Sequence, residues 1–137
     1  MNTVEEVKKL ALPAGSYIVV GGGCLAVRGL RETKDVDIVV TPTVFEMLIS
    51  QGWSLDSVYE QKWHRRRLKC GDIEIYPDIF LEKTNTFVDI DDLIQRADVI
   101  DGIPLLPLKS LCMFKSDTGR EKDIQDIALI DAFLRRN

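Results

Sequence analysis

Two aspartates one residue apart, Asp35 and Asp37, form the pair in this sequence whose type and spacing most strongly suggest chemistry. They open segment 35–40, whose β-branched, apolar composition predicts a strand. Residues i and i+2 of a strand point to one face, so the two carboxylates are expected side by side. Because adjacent carboxylates repel, a divalent cation is the usual reason to tolerate them, and magnesium prefers carboxylate and phosphate oxygens. The alternative is a frayed strand start with one acid paired to Arg31 or Lys34.

Three consecutive glycines, Gly21, Gly22 and Gly23, precede this pair and follow the apolar segment 17–20. Glycine allows a backbone to approach a ligand where any Cβ would clash. The next segment, 24–30, has helical composition, and the start of a helix offers free N–H groups that suit a phosphate. The alternative is that the glycines form only a tight turn between a strand and a helix.

A third acid is expected on segment 73–80, which is predicted to pair with segment 59–70 as a hairpin around a Gly-Asp turn. Alternation places Glu74 and Asp78 on the same face of that strand. Glu74 lies between two isoleucines, where an unpaired acid would be costly, whereas Asp78 follows a proline near the strand end. Glu74 is therefore the preferred third ligand, and Asp78 is the alternative.

The first strand of this hairpin is basic, and alternation places Trp63, Arg65, Arg67 and Lys69 on one face. Such a face can hold a triphosphate or a nucleic-acid acceptor, with the tryptophan as a stacking surface. The alternative is a solvated hairpin whose arginines protect a sheet edge.

Lys115 ends the core-facing stripe of the predicted helix 108–115. A lysine in that position extends to solvent, binds phosphate or meets acids. The alternative to a phosphate-binding role is a structural ion-pair network with Arg120, Lys122 and Asp123.

The remaining segments must position these residues. A capping box at Thr3 and Glu6 predicts a first helix, Thr41-Pro42 opens another, and helices are expected at 91–97, 108–115 and 124–134. Helices and strands alternate early and a hairpin follows, so the expected class is α/β or α+β with a small mixed sheet and flanking helices.

Length and composition are those of one globular domain over residues 1–137. Apolar residues make up 45% and charged residues 29%, and the net charge of −4 argues against a general polyanion binder. No apolar run has the length of a membrane span, and acids near the start argue against a signal peptide. The three cysteines lack metal-binding spacing and are expected to be reduced, which favours a cytoplasmic protein.

The motif Gly21-Gly22-Gly23, eleven residues, then Asp35-Val36-Asp37-Ile38, with a later Glu between apolar residues, resembles the DNA polymerase β-like nucleotidyltransferase superfamily. The tail from Pro107 to Asp126 is similar to the closing helices of small members related to abortive-infection-type toxins. The resemblance covers most of residues 15–130. It departs from the family pattern in having Glu rather than the commoner Asp as third acid, and in its short length.

This resemblance implies a nucleotidyltransferase fold and the transfer of a nucleoside monophosphate from an NTP to an unidentified protein, RNA or small-molecule acceptor, with Mg²⁺ or Mn²⁺. It also implies roles for individual residues: Asp35, Asp37 and Glu74 as catalytic metal ligands, with Asp78 as the alternative third ligand, and Gly21, Gly22, Gly23, Arg31 and Lys115 as nucleotide-binding residues. The alternative is a non-catalytic domain of the same fold that serves a partner protein in a toxin–antitoxin-like or defence module. A homodimer is a further possibility, and Arg65, Arg67 and Lys69 are candidates for contact with nucleic acid.

Overall fold

A six-stranded mixed sheet with flanking helices organises the chain, as a computed structural model of residues 1–136 shows. The predicted α/β class with a mixed sheet is therefore confirmed. The strands are β1 (Tyr17–Val20), β2 (Val36–Val40), β3 (Leu68–Cys70), β4 (Ile73–Tyr76), β5 (Phe80–Leu81), β6 (Thr86–Phe87), β7 (Asp98–Ile100) and β8 (Ile103–Leu105). The helices are α1 (Thr3–Lys9), α2 (Gly22–Val27), α3 (Pro42–Ser50), α4 (Ser57–Trp63), α5 (Ile90–Gln95), α6 (Leu108–Thr118) and α7 (Glu121–Arg136).

The strand order is β3-β4-β2-β1-β8-β7, and β5 and β6 form a separate two-stranded sheet. Strand β2 lies near the centre, antiparallel to β1 and parallel to β4. In this register Asp37 is opposite Val20 on one side and opposite Glu74 on the other. Partners in register share a face of the sheet, so β2 and β4 bring the Asp37 and Glu74 side chains to the same surface.

The core lies on the other face of β2, where Val36, Ile38 and Val40 have no solvent exposure. Phe45 of α3 and Ile130 of α7 are also almost completely buried. Burial of about two-thirds of the unfolded surface is expected for a chain of this length, and it fixes the central strands on which the acids stand. No helix among residues 1–136 is both long and apolar enough to span a membrane.

The predicted strand over 59–70 is wrong in its first half, because residues 57–63 form α4. The Asp56 side chain accepts a hydrogen bond from the backbone N–H of Tyr59 and caps this helix, and His64 ends it in the left-handed region at φ 57°. Only Leu68–Cys70 pairs as a strand, so the alternation assumed for Trp63 and Arg65 does not hold. A local helix cap therefore overrides the strand pattern of the basic run.

The first helix also starts differently from the prediction. The N-cap is Asn2, whose side chain accepts from the backbone N–H of Glu5, and not Thr3. Thr3 is instead a buried residue inside the first turn, where its methyl group packs near Gly23. Near the other end of the chain, α6 and α7 are longer than the segments predicted for them.

Candidate functional site

The turn after β1 brings its backbone against the carboxylate of Asp37. Gly21 has φ 66° and ψ −150°, a conformation open essentially to glycine alone. A Cβ on Gly21 would lie 2.5 Å from Asp37 Oδ2, so both the backbone conformation and the available space require glycine here. The sequence thus folds this turn to place the second acid of the pair directly beside the glycine backbone.

Asp37 is a half-buried acid without a donor. Within residues 1–136, no group donates a hydrogen bond to its carboxylate. Burial raises the pKa of Asp37 to about 6, the negative charges of Glu74 and Asp35 add to this effect, and Arg67 and Lys122 oppose it. A carboxylate in this environment is stabilised by a proton or by a cation.

Asp35 lies just before β2 and is exposed. Its backbone carbonyl accepts from the Thr33 hydroxyl, which shapes the entry to the strand. Its effect on the pKa of Asp37 shows that the two charges are close enough to interact, as the i, i+2 spacing predicts. Within residues 1–136, the alternative in which Arg31 or Lys34 pairs with one of these acids does not occur: Arg31 binds Asp126, and Lys34 forms no ion pair.

A cavity of about 810 Å³ opens in front of this acid pair. That volume falls within the range of about 300–1,000 Å³ typical of small-molecule sites. Its walls come from the glycine turn, the loop before β2, the turn after β3 and the start of α7. The lining residues with side chains that bear on the chemistry are Arg31, Lys34, Asp35, Asp37, Asp72, Lys115, Arg120, Lys122, Gln125 and Asp126.

The three glycines take different positions around this cavity. Gly21 and Gly22 line it, and a Cβ on Gly22 would lie 2.7 Å from the Thr33 hydroxyl and 3.1 Å from a guanidinium nitrogen of Arg31. Gly23 is buried behind the turn, with Thr3 and Val19 side chains 3.1 and 3.2 Å from the position a Cβ would take. The structure therefore gives Gly23 a packing contact between α1 and α2 and does not bring it to the cavity.

Glu74 is held by positively charged and hydroxyl groups rather than exposed to the cavity. Its carboxylate accepts hydrogen bonds from Arg67 and, at 2.8 Å, from the Tyr76 hydroxyl, and Lys69 lies 3.8 Å away. Burial would lower the pKa of Arg67, but hydrogen bonds with Tyr76 and Asp56 outweigh it and keep this guanidinium charged. Glu74 thus stands next to Asp37 in the sheet but with its oxygens already engaged.

The basic residues of this hairpin face Glu74 of β4 and Asp78, which follows that strand. Arg67 and Lys69 meet Glu74, and Arg65 lies 3.4 Å from Asp78. A two-residue turn at Gly71-Asp72 sets this register, with Lys69 opposite Glu74. The signal for the pairing was present in the sequence, since that turn length alone places Lys69 and Arg67 on the face of Glu74.

Arg31 and Lys115, both expected to contact a nucleotide, are tied to α7. Arg31 makes two hydrogen bonds of 2.8 and 2.9 Å with Asp126, and the buried Lys115 ammonium lies 2.8 Å from the same carboxylate. Lys115 is also 3.5 Å from Asp123, which Arg120 and Thr118 hydrogen-bond. This is the ion-pair network that formed the alternative for Lys115, without Lys122.

Lys122 and Lys34 are cavity residues that sequence reasoning missed as site candidates. Within residues 1–136, neither lysine forms an ion pair, and both are exposed at the cavity. Lys122 is close enough to Asp37 to lower its pKa. The signal available in the sequence was weak, because a lysine in the first turn of a helix is usually a solvated residue. These two free ammonium groups give the cavity rim positive charge opposite the acids.

The acid pair, Asp35 and Asp37, meets part of the requirement for binding a divalent cation. Asp35 and Asp37 supply oxygens that no donor of residues 1–136 occupies, which is the ligand chemistry that magnesium prefers. Glu74 fits only if its bonds to Arg67 and Tyr76 are exchanged. Accordingly, in the described part of the chain no group of three or more His, Cys, Asp or Glu side chains is arranged to hold a metal ion.

Comparison with known proteins does not add a relationship: no protein-family model matches the chain, and no curated protein matches it.

Proposed function

We propose that the protein has a nucleotidyltransferase fold and transfers a nucleoside monophosphate from an NTP to an acceptor, with Mg²⁺ or Mn²⁺. The observation that supports this most directly is the Asp37 carboxylate. It accepts no hydrogen bond from residues 1–136, packs against the Gly21 backbone and faces a cavity of about 810 Å³. A purely structural domain has no use for a half-buried acid whose burial raises its pKa to about 6.

The charges around the cavity suit a triphosphate bound through a cation. Asp35 and Asp37 would hold the metal ion, which when bound neutralises phosphate charge and activates the attacking oxygen. Lys34 and Lys122, free of ion pairs within residues 1–136, would contact phosphate oxygens from the rim. The Gly21 and Gly22 backbone leaves room for the phosphates to approach the acids.

The reaction needs no covalent enzyme intermediate. An acceptor oxygen attacks the α-phosphorus, a new O–P bond forms, the bond from that phosphorus to the bridging oxygen breaks, and pyrophosphate leaves. The acceptor's proton passes to water. The contribution of this chain is positioning and charge neutralisation, which is most of what phosphoryl transfer requires.

A second candidate is a non-catalytic domain of the same fold that binds a nucleotide or a partner protein. It is favoured by two observations: Arg67 and Tyr76 already hydrogen-bond the Glu74 carboxylate, and Asp126 forms ion pairs with both Arg31 and Lys115. In this candidate the acid pair binds a metal–nucleotide complex without completing transfer.

Equilibrium binding and transfer assays separate the two candidates. Each NTP is titrated with and without Mg²⁺ or Mn²⁺, and labelled NTPs are incubated with candidate proteins, RNAs and small molecules. We expect metal-dependent NTP binding that the double variant Asp35→Asn/Asp37→Asn loses and the control Asp131→Asn, an exposed residue of α7, retains. Binding without transfer to any acceptor would favour the second candidate, and the absence of metal-dependent binding in the unaltered protein would overturn both.

A further inference from the structure

A second, smaller cavity meets the first one at Asp37. It has a volume of about 190 Å³. The larger cavity is lined by Asp35 and Asp37 at the start of β2, and the smaller one by Asp37 and Val39, nearer the carboxyl end of that strand. Asp37 is the residue that lines both cavities. A group bound in the small cavity would therefore reach the same carboxylate as a group bound in the large one.

The walls of the small cavity are mainly apolar. Val20, Val39 and Ile79 supply aliphatic surface, and the Phe80 ring adds an aromatic one. The Phe80 ring is held in place by the Phe87 ring at a centroid distance of 5.0 Å. Such walls favour an apolar body of the ligand over a sugar or a phosphate.

Tyr76 also lines this cavity, but its hydroxyl is already engaged, because it donates to Glu74 and accepts from Arg67. The other polar groups offer one donor side and one acceptor side. Arg65 lies 3.4 Å from Asp78, a long contact, and within residues 1–136 its buried Nε has no hydrogen-bond partner. Protein atoms enclose that nitrogen, so a ligand in the cavity can reach only the Nη groups of this guanidinium. Asp37 supplies carboxylate oxygens at the end shared with the large cavity. A hydroxyl group, which can donate one hydrogen bond and accept two, matches both sides.

Charge and size restrict the ligand further. The Arg65–Asp78 pair is neutral overall and Asp37 repels anions, while the apolar walls make any charged group costly to desolvate, so an uncharged group fits this cavity best. An apolar cavity of about 150 Å³ holds a benzene molecule, whereas drug-sized ligands need about 300 Å³ or more. A cavity of about 190 Å³ accommodates one ring or a short side chain and excludes a nucleotide.

We infer that the small cavity is the acceptor site: it binds an uncharged, otherwise apolar group of one-ring size, with its hydroxyl directed at Asp37. The inference rests on the proposed function, because it assigns the large cavity to the NTP. The hydroxyl oxygen forms the bond to the α-phosphorus, pyrophosphate leaves with the electrons of the broken bond, and the hydroxyl proton passes to water.

The first test measures binding alone. Fluorine NMR follows 4-fluorophenol, and ligand-observed proton NMR follows cyclohexanol and toluene, each added to the full chain. Both alcohols are expected to bind, and toluene, which has no hydroxyl, is expected to bind about tenfold more weakly, as the loss of roughly 1.4 kcal/mol of hydrogen bonding implies. Equal binding of toluene, or no binding of either alcohol, overturns the assignment.

Matched variants locate the binding. Ile79→Phe fills the small cavity and Arg65→Met removes its donor, while Leu81→Phe and Arg66→Met make the same changes at residues that do not line it. We expect the first two to weaken alcohol binding about tenfold, the controls to stay within about twofold, and all four to keep their metal-dependent NTP affinity. Equal effects of variant and control overturn the inference. If Ile79→Phe does not fold, Arg65→Met still decides the outcome, because the Arg65 side chain is 25% exposed and its replacement is expected to leave the fold intact.

Transfer assays then distinguish the sources of the hydroxyl and separate this inference from the proposed function. Labelled NTP is incubated with 4-fluorophenol, with cyclohexanol, and with the blocked amino acids N-acetylserine amide and N-acetyltyrosine amide. Label on a free alcohol indicates a small-molecule acceptor, and label only on a blocked amino acid indicates a side chain of a polypeptide; either supports the inference. Transfer that proceeds unchanged in Ile79→Phe overturns the acceptor site but leaves the proposed function standing, whereas loss of metal-dependent NTP binding in the unaltered protein overturns the function itself.

Discussion

Two acids in register on neighbouring strands have opposite environments. Asp37 and Glu74 are partners across β2 and β4, yet no group of residues 1–136 donates to the first and both Arg67 and Tyr76 donate to the second. The difference between the two carboxylates is therefore one of hydrogen-bond partners rather than of position in the sheet. Asp37 is the group left free to take a cation, and Glu74 is the group whose charge is already compensated.

Neutralising Asp37 should stabilise the protein in the absence of metal. Because the pKa of Asp37 is raised from 3.8 to about 6, ionisation at pH 7 costs the folded state about 1–3 kcal/mol. Asp37→Asn removes that cost, so its free energy of unfolding in urea is expected to exceed that of the unaltered protein at pH 7. The difference should shrink as pH falls from 6 to 4, since the folded protein then protonates Asp37 before the unfolded chain does. The exposed Asp35, changed to Asn, is the control and should change less; a loss of several kcal/mol in Asp37→Asn would mark it as a structural partner of a base.

The choice of third acid can be tested by two substitutions. We predict that Glu74→Gln abolishes transfer with the fold intact and that Asp78→Asn leaves substantial activity. Glu74 lies beside Asp37 in register and would reach the metal by exchanging its bonds to Arg67 and Tyr76, whereas Asp78 lies beyond the end of β4. Circular dichroism checks the fold, and pyrophosphate release measures activity. The reverse pattern would assign the third ligand to Asp78.

At the scale of elements, the strand–turn–helix that carries the glycines and strand β2 were predictable, and α4 was not. Segments 17–20 and 35–40 are strongly apolar and β-branched, so their period and length predict buried strands, as found. The basic run differs because one side chain, Asp56, caps a helix whose last turn reaches Trp63. Such a cap stabilises the helix through a single hydrogen bond, and an alternation pattern over ten residues contains no sign of that bond.

The hydrogen bonds and ion pairs that engage the Glu74 carboxylate could be inferred only in part from the sequence. The two-residue turn places Lys69 opposite Glu74, but the reach of Arg67 to both Asp56 and Glu74 depends on where α4 ends. Likewise, the i, i+2 spacing predicts that Asp35 and Asp37 share a face, while the burial that separates their environments depends on packing against the Gly21 turn. Tertiary contacts of this kind are set by elements distant in sequence.

The turn element makes a sharp prediction at Gly21. Gly21→Ala places a Cβ 2.5 Å from Asp37 Oδ2 and forces alanine into a backbone region that costs about 1–3 kcal/mol. We expect a loss of about 2–4 kcal/mol in urea unfolding. Gly15→Ala is the matched control, since Gly15 also has a positive φ of 76° but no atom within 4 Å of the added Cβ, so it should lose only about 1 kcal/mol. Equal losses at both positions would show that the contact with Asp37 contributes nothing.

For the whole molecule, two sets of carboxylates give the stability opposite dependences on pH. Burial would raise the pKa values of Asp123 and Asp126, but hydrogen bonds from Arg120 and Thr118 to the first and from Arg31 and Lys115 to the second outweigh it and lower both. Their stabilising effect is present above the unfolded value of about 3.9 and is lost as pH falls below it. Asp37 acts in the opposite sense, because its destabilising effect grows as pH rises from about 4 to 6, so the metal-free protein is expected to be most stable near pH 4 and less stable at pH 6 and above.

The closing helix provides the last prediction, on Asp126→Asn. Asp126 is 4% exposed, and its carboxylate forms ion pairs with both Arg31 and the buried Lys115 ammonium. Its removal therefore leaves these two positive charges close together without the carboxylate that they share. Breaking a buried ion pair on one side typically costs about 3–5 kcal/mol, and we expect a loss of that size in urea unfolding at pH 7. The loss should diminish as pH falls below about 4, because the unfolded form of the unaltered protein then binds a proton at Asp126 before the folded form does. Asp131→Asn, on the exposed side of the same helix, should stay within about 0.5 kcal/mol. A variant Asp126→Asn as stable as the control would mean that α7 is held to the sheet by apolar contacts alone, and Arg31 and Lys115 would then be free to bind phosphate.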